Sequence, residues 1–188
     1  GGIWDWLTWR SVIVALTLIQ AYVLVGSSYL ILKTTGELQE SHFKTAKLAA
    51  WTTLVGAVFI TVSTPVFSEQ LRDRLLEPPL LYVFGIIPIL GLLVVGLLLR
   101  SLYQKQENTP IIWTFLLFSL SFIGLGFVIF PQIIPPSVTI YEAAAAPSSL
   151  VFMLTFIGFL IPILLFYNIY NYIVFRGKIA DEASYGEV

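Results

Sequence analysis

The placement of charge along this chain constrains its fold more than any other feature. No Asp, Glu, Lys, Arg or His occurs between Arg10 and Lys33, between Lys47 and Glu69, or between Glu77 and Arg100. Two longer silent stretches follow, from Glu107 to Glu142 and from Glu142 to Arg176, each holding one apolar run and a Pro-rich part. A hydrocarbon core of roughly 30 Å is crossed by about 20 helical residues rising roughly 1.5 Å each, and every silent stretch meets that length. The reading is an all-α integral membrane protein with about five transmembrane helices, near residues 11–32, 47–66, 80–99, 111–130 and 150–175. They are expected to form one bundle plus a terminal helix within a single transmembrane domain over residues 1–188. A composition of 57% hydrophobic and only 11% charged residues agrees, being far from a soluble average.

A net charge of -1 without a clustered basic surface excludes a nucleic-acid partner. The absence of cysteine removes disulfides, iron–sulfur ligation and thiolate zinc sites together. The chain opens on Gly1 and Gly2 with no initiator Met and no basic region before a short apolar core, so these residues are not expected to be a secretory signal. Because the loop-like GGIWDW segment leads straight into a span, the chain is expected to begin partway through a longer protein.

Trp4, Trp6 and Trp9 precede the first span, where their amphipathic rings suit the bilayer interface. Thr17, Gln20, Leu24 and Ser27 then recur at helical spacing and put a weakly polar stripe on one face. In lipid such a stripe should face another helix. The second span repeats the device with Thr53, Ala57, Thr61 and Thr64, so the two are expected to be neighbours. The third follows Pro78 and Pro79 and should kink near Pro88. The fourth ends at Pro131, and the fifth is expected to start after Pro147 with Ser148 or Ser149 as its cap and to carry Pro162 inside it.

Lys33, Lys44, Lys47, Arg100, Lys105, Arg176 and Lys178 fall on one side of this arrangement, against Arg10, Arg72 and Arg74 on the other. The more basic side is expected to be cytoplasmic, which places the C-terminal end inside. Within the first cytoplasmic loop, KTTGELQESHFKTAK, Gly36 is read as ending an extension of the first helix. Glu37, Glu40, Lys44 and Lys47 fit spacings of three and four that would steady a helical connection. His42 in that loop is the chain's single histidine, too few for bis-histidine haem, and Met153 reads as packing rather than as an axial ligand. In the outer segment SEQLRDRLLEPP, Glu69 with Arg72 and Arg74 with Glu77 suggest a short interfacial helix laying Leu71, Leu75 and Leu76 on the membrane or on a partner. The segment from Phe130 to Leu150, with four prolines and four alanines, reads as a folded lid in which Glu142 is exposed or paired.

Between their ends the spans contain no Asp, Glu, Lys, Arg or His, and such groups mark intramembrane chemistry and ion coupling. There is no phosphate-binding glycine loop, catalytic dyad or metal-ligand cluster in the sequence. The chain is therefore expected to hold no catalytic, cofactor-binding or metal site of its own.

Three stretches resemble the second half of subunit II of the cytochrome bd-type terminal oxidases, particularly their cyanide-insensitive branch. They are YLILKTTGELQ (Tyr29 to Gln39), FPQIIPPSVTIYEAAAAPSSLVFML (Phe130 to Leu154) and YNIYNYIVFRGK (Tyr167 to Lys178). The resemblance implies a quinol-oxidising, oxygen-reducing complex of the aerobic respiratory chain in a bacterial inner membrane. It further implies that haems b and d and the quinol site belong to subunit I, and that this chain packs against that subunit as a pseudo-symmetric structural partner. Family subunits are about twice this length, and their acidic proton-path residues lie in the other half. Lys33, Glu37, Gln39 and Glu142 match recurrent family positions, and with Gln20 of the polar stripe they are the candidates for structural or subunit contacts. A structural quinone or lipid against these helices stays open. So do two other classes, half of a membrane transporter, weakened by the charge-free spans, and a structural or assembly membrane protein without redox partners.

Overall fold

A computed structural model describes residues 4, 7–67, 72–73, 75, 77–78, 80–134, 137–175 and 177. Five helices account for most of them: α1 (Trp9–Lys33), α2 (Gly36–Phe67), α3 (Leu80–Tyr103), α4 (Thr109–Ile129) and α5 (Pro147–Val174). All five are long and apolar enough to cross a membrane. A short antiparallel pair, β1 (Gln132–Ile134) with β2 (Val138–Thr139), stands between α4 and α5. The chain divides into two compact units, one built from α1 to α4, the other spanning residues 129–178 and holding the hairpin and α5.

Local chemistry fixes the helix ends. Thr8 caps α1 reciprocally: its hydroxyl accepts from Ser11 N at 3.2 Å, while Ser11 Oγ accepts from Thr8 N at 2.9 Å. The helix stops where Thr34 turns extended and both its N–H and its hydroxyl donate to Leu30 O, at 2.9 and 2.7 Å. Gly36, expected to close an extension of α1, instead opens α2 with a φ of 64°. Only two residues separate the helices, and a positive φ costs glycine nothing. From there α2 runs without a break, so the loop expected before residue 47 is its first three turns. The cap expected at Ser148 or Ser149 is also displaced. Helix α5 starts at Pro147 itself, behind Ala146, because the fixed φ of proline suits the first helical position and its missing N–H is no loss there. Pro88 and Pro162 lie inside α3 and α5.

The core of the first unit draws on all four of its helices. Leu24 and Ile31 of α1, Ala46, Ala49 and Ala50 of α2, and Leu98 and Leu102 of α3 are buried together, with Trp113 and Leu117 of α4 packed against them. The stripe expected on α1 does face α2: Leu24 and Ser27 are buried, and Thr17 fills the space that Gly56 leaves open. The partner stripe on α2 keeps Thr53 of the expected set and otherwise differs from it. Its buried positions are Phe43, Ala46, Ala49, Ala50, Thr53 and Gly56, whereas Ala57 is exposed and Thr61 and Thr64 are half-buried with their hydroxyls on their own helix. Small side chains let two backbones approach closely, which drives helix association in lipid better than scattered hydroxyls do.

Outside this core the burial pattern is that of a lipid-facing surface. Large apolar residues stand exposed along every helix, and α5 has no buried residue at all. An apolar perimeter of this extent is stable in hydrocarbon, where each helix satisfies its own backbone, and not in water.

Candidate functional site

The residues of YLILKTTGELQ converge at one end of the first unit, where α1 finishes, α2 begins and the α3–α4 connection passes. Ending α1 at Lys33 leaves its last carbonyls without helical donors. Leu30 O is taken by Thr34, and Ile31 O accepts from Gln39 Nε2 at 2.9 Å. The same amide donates to Glu107 Oε1 at 3.2 Å, so one side chain ties the end of α1 to the residues that lead into α4. Beside it, Glu40 pairs with Lys105 of the α3–α4 connection. Glu40 was expected to steady its own helix through Lys44. It reaches Lys105 instead, because α2 continues past the turn and carries Glu40 alongside that connection.

Lys33 is only 6% exposed, with its ammonium 6.0 Å from the Tyr29 ring. A cation suits this position, since the C-terminal end of α1 carries partial negative charge. Two further contacts lie just below: Trp51 Nε1 donates to Tyr103 Oη at 3.4 Å, and Lys47 stands 4.8 Å over the same ring. Deeper still, Ser28 of α1 and Thr114 of α4, both fully buried, share a hydrogen bond of 3.1 Å. Glu37 is exposed, as are Gly36, Leu38 and Glu40 around it, on an open recess that it shares with Ser41 and Lys44. His42 is half-buried on α2.

The other candidates are placed apart from this cluster. Gln20 sits midway along α1 and its Oε1 accepts from Thr52 of α2 at 3.3 Å, which supplies the partner expected for an amide in lipid. Glu142 lies in the second unit, exposed, where its carboxylate accepts from Thr139 N at 2.8 Å and from Thr139 Oγ1 at 3.0 Å. The backbone N–H first, and the hydroxyl second, hold its pKa below the ordinary carboxylate value. Of the SEQLRDRLLEPP segment, Leu75 is buried within the chain and not presented outward, and Arg72 pairs with Asp73 at 3.6 Å. Glu69, Leu71, Arg74 and Leu76 lie outside the described residues, as do Pro135 and Pro136 of the expected lid.

Of the residues in this cluster the sequence singled out Lys33 and Gln39, with Gln20 standing apart, and it did not single out those that complete the arrangement: Trp51, Tyr103, Lys105, Glu107 and Thr114. Each is distant in sequence from its partner. The available signal was weak, namely that Glu107 borders a charge-silent stretch and Lys105 lies in the short charged interval between Arg100 and Glu107. Chemically the cluster is a set of donors matched to acceptors. It fixes the ends of four helices and presents no nucleophile or acid–base pair aimed at a common point.

A search among curated proteins finds no match to this chain. The family model for cytochrome bd terminal oxidase subunit II, in contrast, matches residues 1–175, nearly the entire length. The resemblance carried by the Lys33 turn and the Phe130–Leu154 segment therefore holds over the whole helical part, and the chain belongs to the cytochrome bd terminal oxidase subunit II family.

Proposed function

We propose that this chain is a structural, non-haem-ligating part of a quinol:oxygen oxidoreductase of the aerobic respiratory chain, packed against the haem-bearing subunit I in a bacterial cell membrane. The observation that carries the reading is the matching of polar groups around Gln39. Its amide joins α1 to the entry of α4, and the groups beside it satisfy one another, as a scaffold requires. Lys33 and Gln39 then hold the turn, Gln20 holds α1 on α2, and the exposed Glu37 and Glu142 are the contacts left for a neighbouring subunit. The Lys33 end faces the cytoplasm on the basic-residue count, which puts the residues after α5 on the same side. Haems b and d and the quinol site belong to subunit I, and this chain supplies rigid apolar surface for it, with membrane lipid elsewhere.

Purification through a tag on this chain tests the assignment. A reduced-minus-oxidised spectrum with haem b and haem d bands, in a preparation that also contains a larger histidine-rich membrane subunit, is the expected result. A haem-free preparation with no second subunit would sink it.

A further inference from the structure

The opposite end of the first unit, where α1 begins and α2 ends, carries a groove that the scaffold role does not use. Trp9 meets Phe59 and Phe67 edge-on, with ring centroids 5.8 and 5.5 Å apart, and the Arg10 guanidinium stands 5.1 Å over Phe67. Tryptophan and arginine together favour the level of the lipid headgroups. Beside them lies a groove of about 280 Å³ between the two helices. Its rim is polar, formed by Thr8, Arg10, Ser11, Ser63 and Thr64. Its floor is apolar, formed by Val14, Phe59 and Ile60. Val14 lies about 6 Å deeper along α1 than Arg10 at the helical rise, so polarity falls along the membrane normal.

The hydrogen bonds at the rim define what fits there. The hydroxyl protons are already committed: Ser11 Oγ donates to Thr8 O at 2.8 Å, while Ser63 Oγ and Thr64 Oγ1 donate to Ile60 O at 3.1 and 2.7 Å. Thr8 Oγ1 turns toward Ser11 Oγ at 3.4 Å. What the Ser63 and Thr64 oxygens still offer is lone pairs, and the donor beside them is the guanidinium with its planar N–H fork. The matching ligand carries an anionic phosphodiester next to a primary ammonium, above an acyl chain. A volume just under that of typical drug-sized pockets suits a headgroup and the first carbons below it.

We propose that this groove binds a phosphatidylethanolamine-type phospholipid, with Arg10 on the phosphate, the Ser63 and Thr64 oxygens on the ammonium, and one acyl chain along Val14, Phe59 and Ile60. The site does not depend on the oxidase assignment, and a haem-free complex would leave it standing. A choline headgroup lacks N–H donors, and a glycerol headgroup lacks the cation, so both bind more weakly.

The test places the photoreactive residue benzoylphenylalanine at Val14 and reconstitutes the membrane complex containing this chain in nanodiscs of equimolar phosphatidylethanolamine, phosphatidylcholine and phosphatidylglycerol. Mass spectrometry should find an ethanolamine-lipid adduct in clear excess. Arg10→Gln should reduce total lipid adduct roughly tenfold, the equivalent of one charge-assisted hydrogen bond. The pair Ser63→Ala and Thr64→Val should leave the adduct but erase the preference for ethanolamine over choline, and this arm decides the matter if Arg10→Gln does not accumulate. A polypeptide adduct from Val14, or lipid adducts without headgroup preference, overturn the proposal.

Discussion

Replacing Gly56 by alanine tests the close approach of α1 and α2. A Cβ at that position would stand 2.1 Å from Thr17 Oγ1, 2.7 Å from its Cγ2 and 2.9 Å from its Cβ. Carbon atoms in contact settle at about 3.5–4.0 Å, so all three separations are repulsive. Rotation about χ1 does not relieve the clash, because the third atom is the Thr17 Cβ itself. The hydroxyl is also bonded to Ile13 O at 2.8 Å. The helices must therefore part locally, which also stretches the Gln20–Thr52 bond one turn away. Overpacking of this kind costs about 1–3 kcal/mol, while alanine returns up to about 1 kcal/mol of helix propensity. We expect a net loss of about 1–2 kcal/mol in the unfolding free energy of the detergent-solubilised subunit, titrated with sodium dodecyl sulfate in mixed micelles. Thr17→Ala in the Gly56→Ala background should recover part of the loss, since it removes Oγ1 and Cγ2 but not Cβ. Thr17→Gly should remove the clash entirely. Coupling between the sites should fall within about 0.5–3 kcal/mol, whereas additivity to within about 0.5 kcal/mol would refute the placement of Thr17 in the Gly56 gap.

Ser28→Ala or Thr114→Val, made singly, leaves a buried hydroxyl without its partner and should lower stability by about 0.5–2 kcal/mol. The double change should cost less than the sum, and two independent losses would argue against the bond. Glu142 has a folded pKa below its unfolded value, so its contribution to the hairpin is present above the ordinary carboxylate range and is lost as pH falls through the folded pKa. Amide exchange at Thr139 should therefore be protected near neutrality, lose protection in acid, and be unprotected and insensitive to pH in Glu142→Gln; a wild-type profile without an acid limb contradicts this. Gln20→Leu should still co-purify with subunit I and haem, at reduced thermal stability, because it only deprives Thr52 of an acceptor at a cost of about 0.5–2 kcal/mol. Gln20→Lys introduces a cation into a span that holds no acid, at about 2.5–3.5 kcal/mol, and should abolish the association. Normal assembly of the Lys variant would place Gln20 in a wet environment.

The sequence alone determined that the chain lives in a membrane and how many times it can cross. Insertion depends on a sum of side-chain transfer free energies over about 20 adjacent residues, and the silent stretches display that sum directly. It also marked Gln20, whose amide cannot remain unsatisfied in hydrocarbon, and the Lys33–Gln39 turn, where charges and a glycine crowd between two spans. What it did not determine is which groups meet. Glu40 had Lys44 one helical turn away, yet pairs with Lys105, and Gln39 caps the carbonyl of Ile31 while holding Glu107. The same holds for the α2 face. Thr53, Ala57, Thr61 and Thr64 and the Ala46–Gly56 row are both helical stripes, and only the second lets α1 come close enough for Thr17 to enter a missing side chain. Hydropathy is local and can be read residue by residue. Close packing depends on the shape of the facing helix, so the tertiary structure had to decide it.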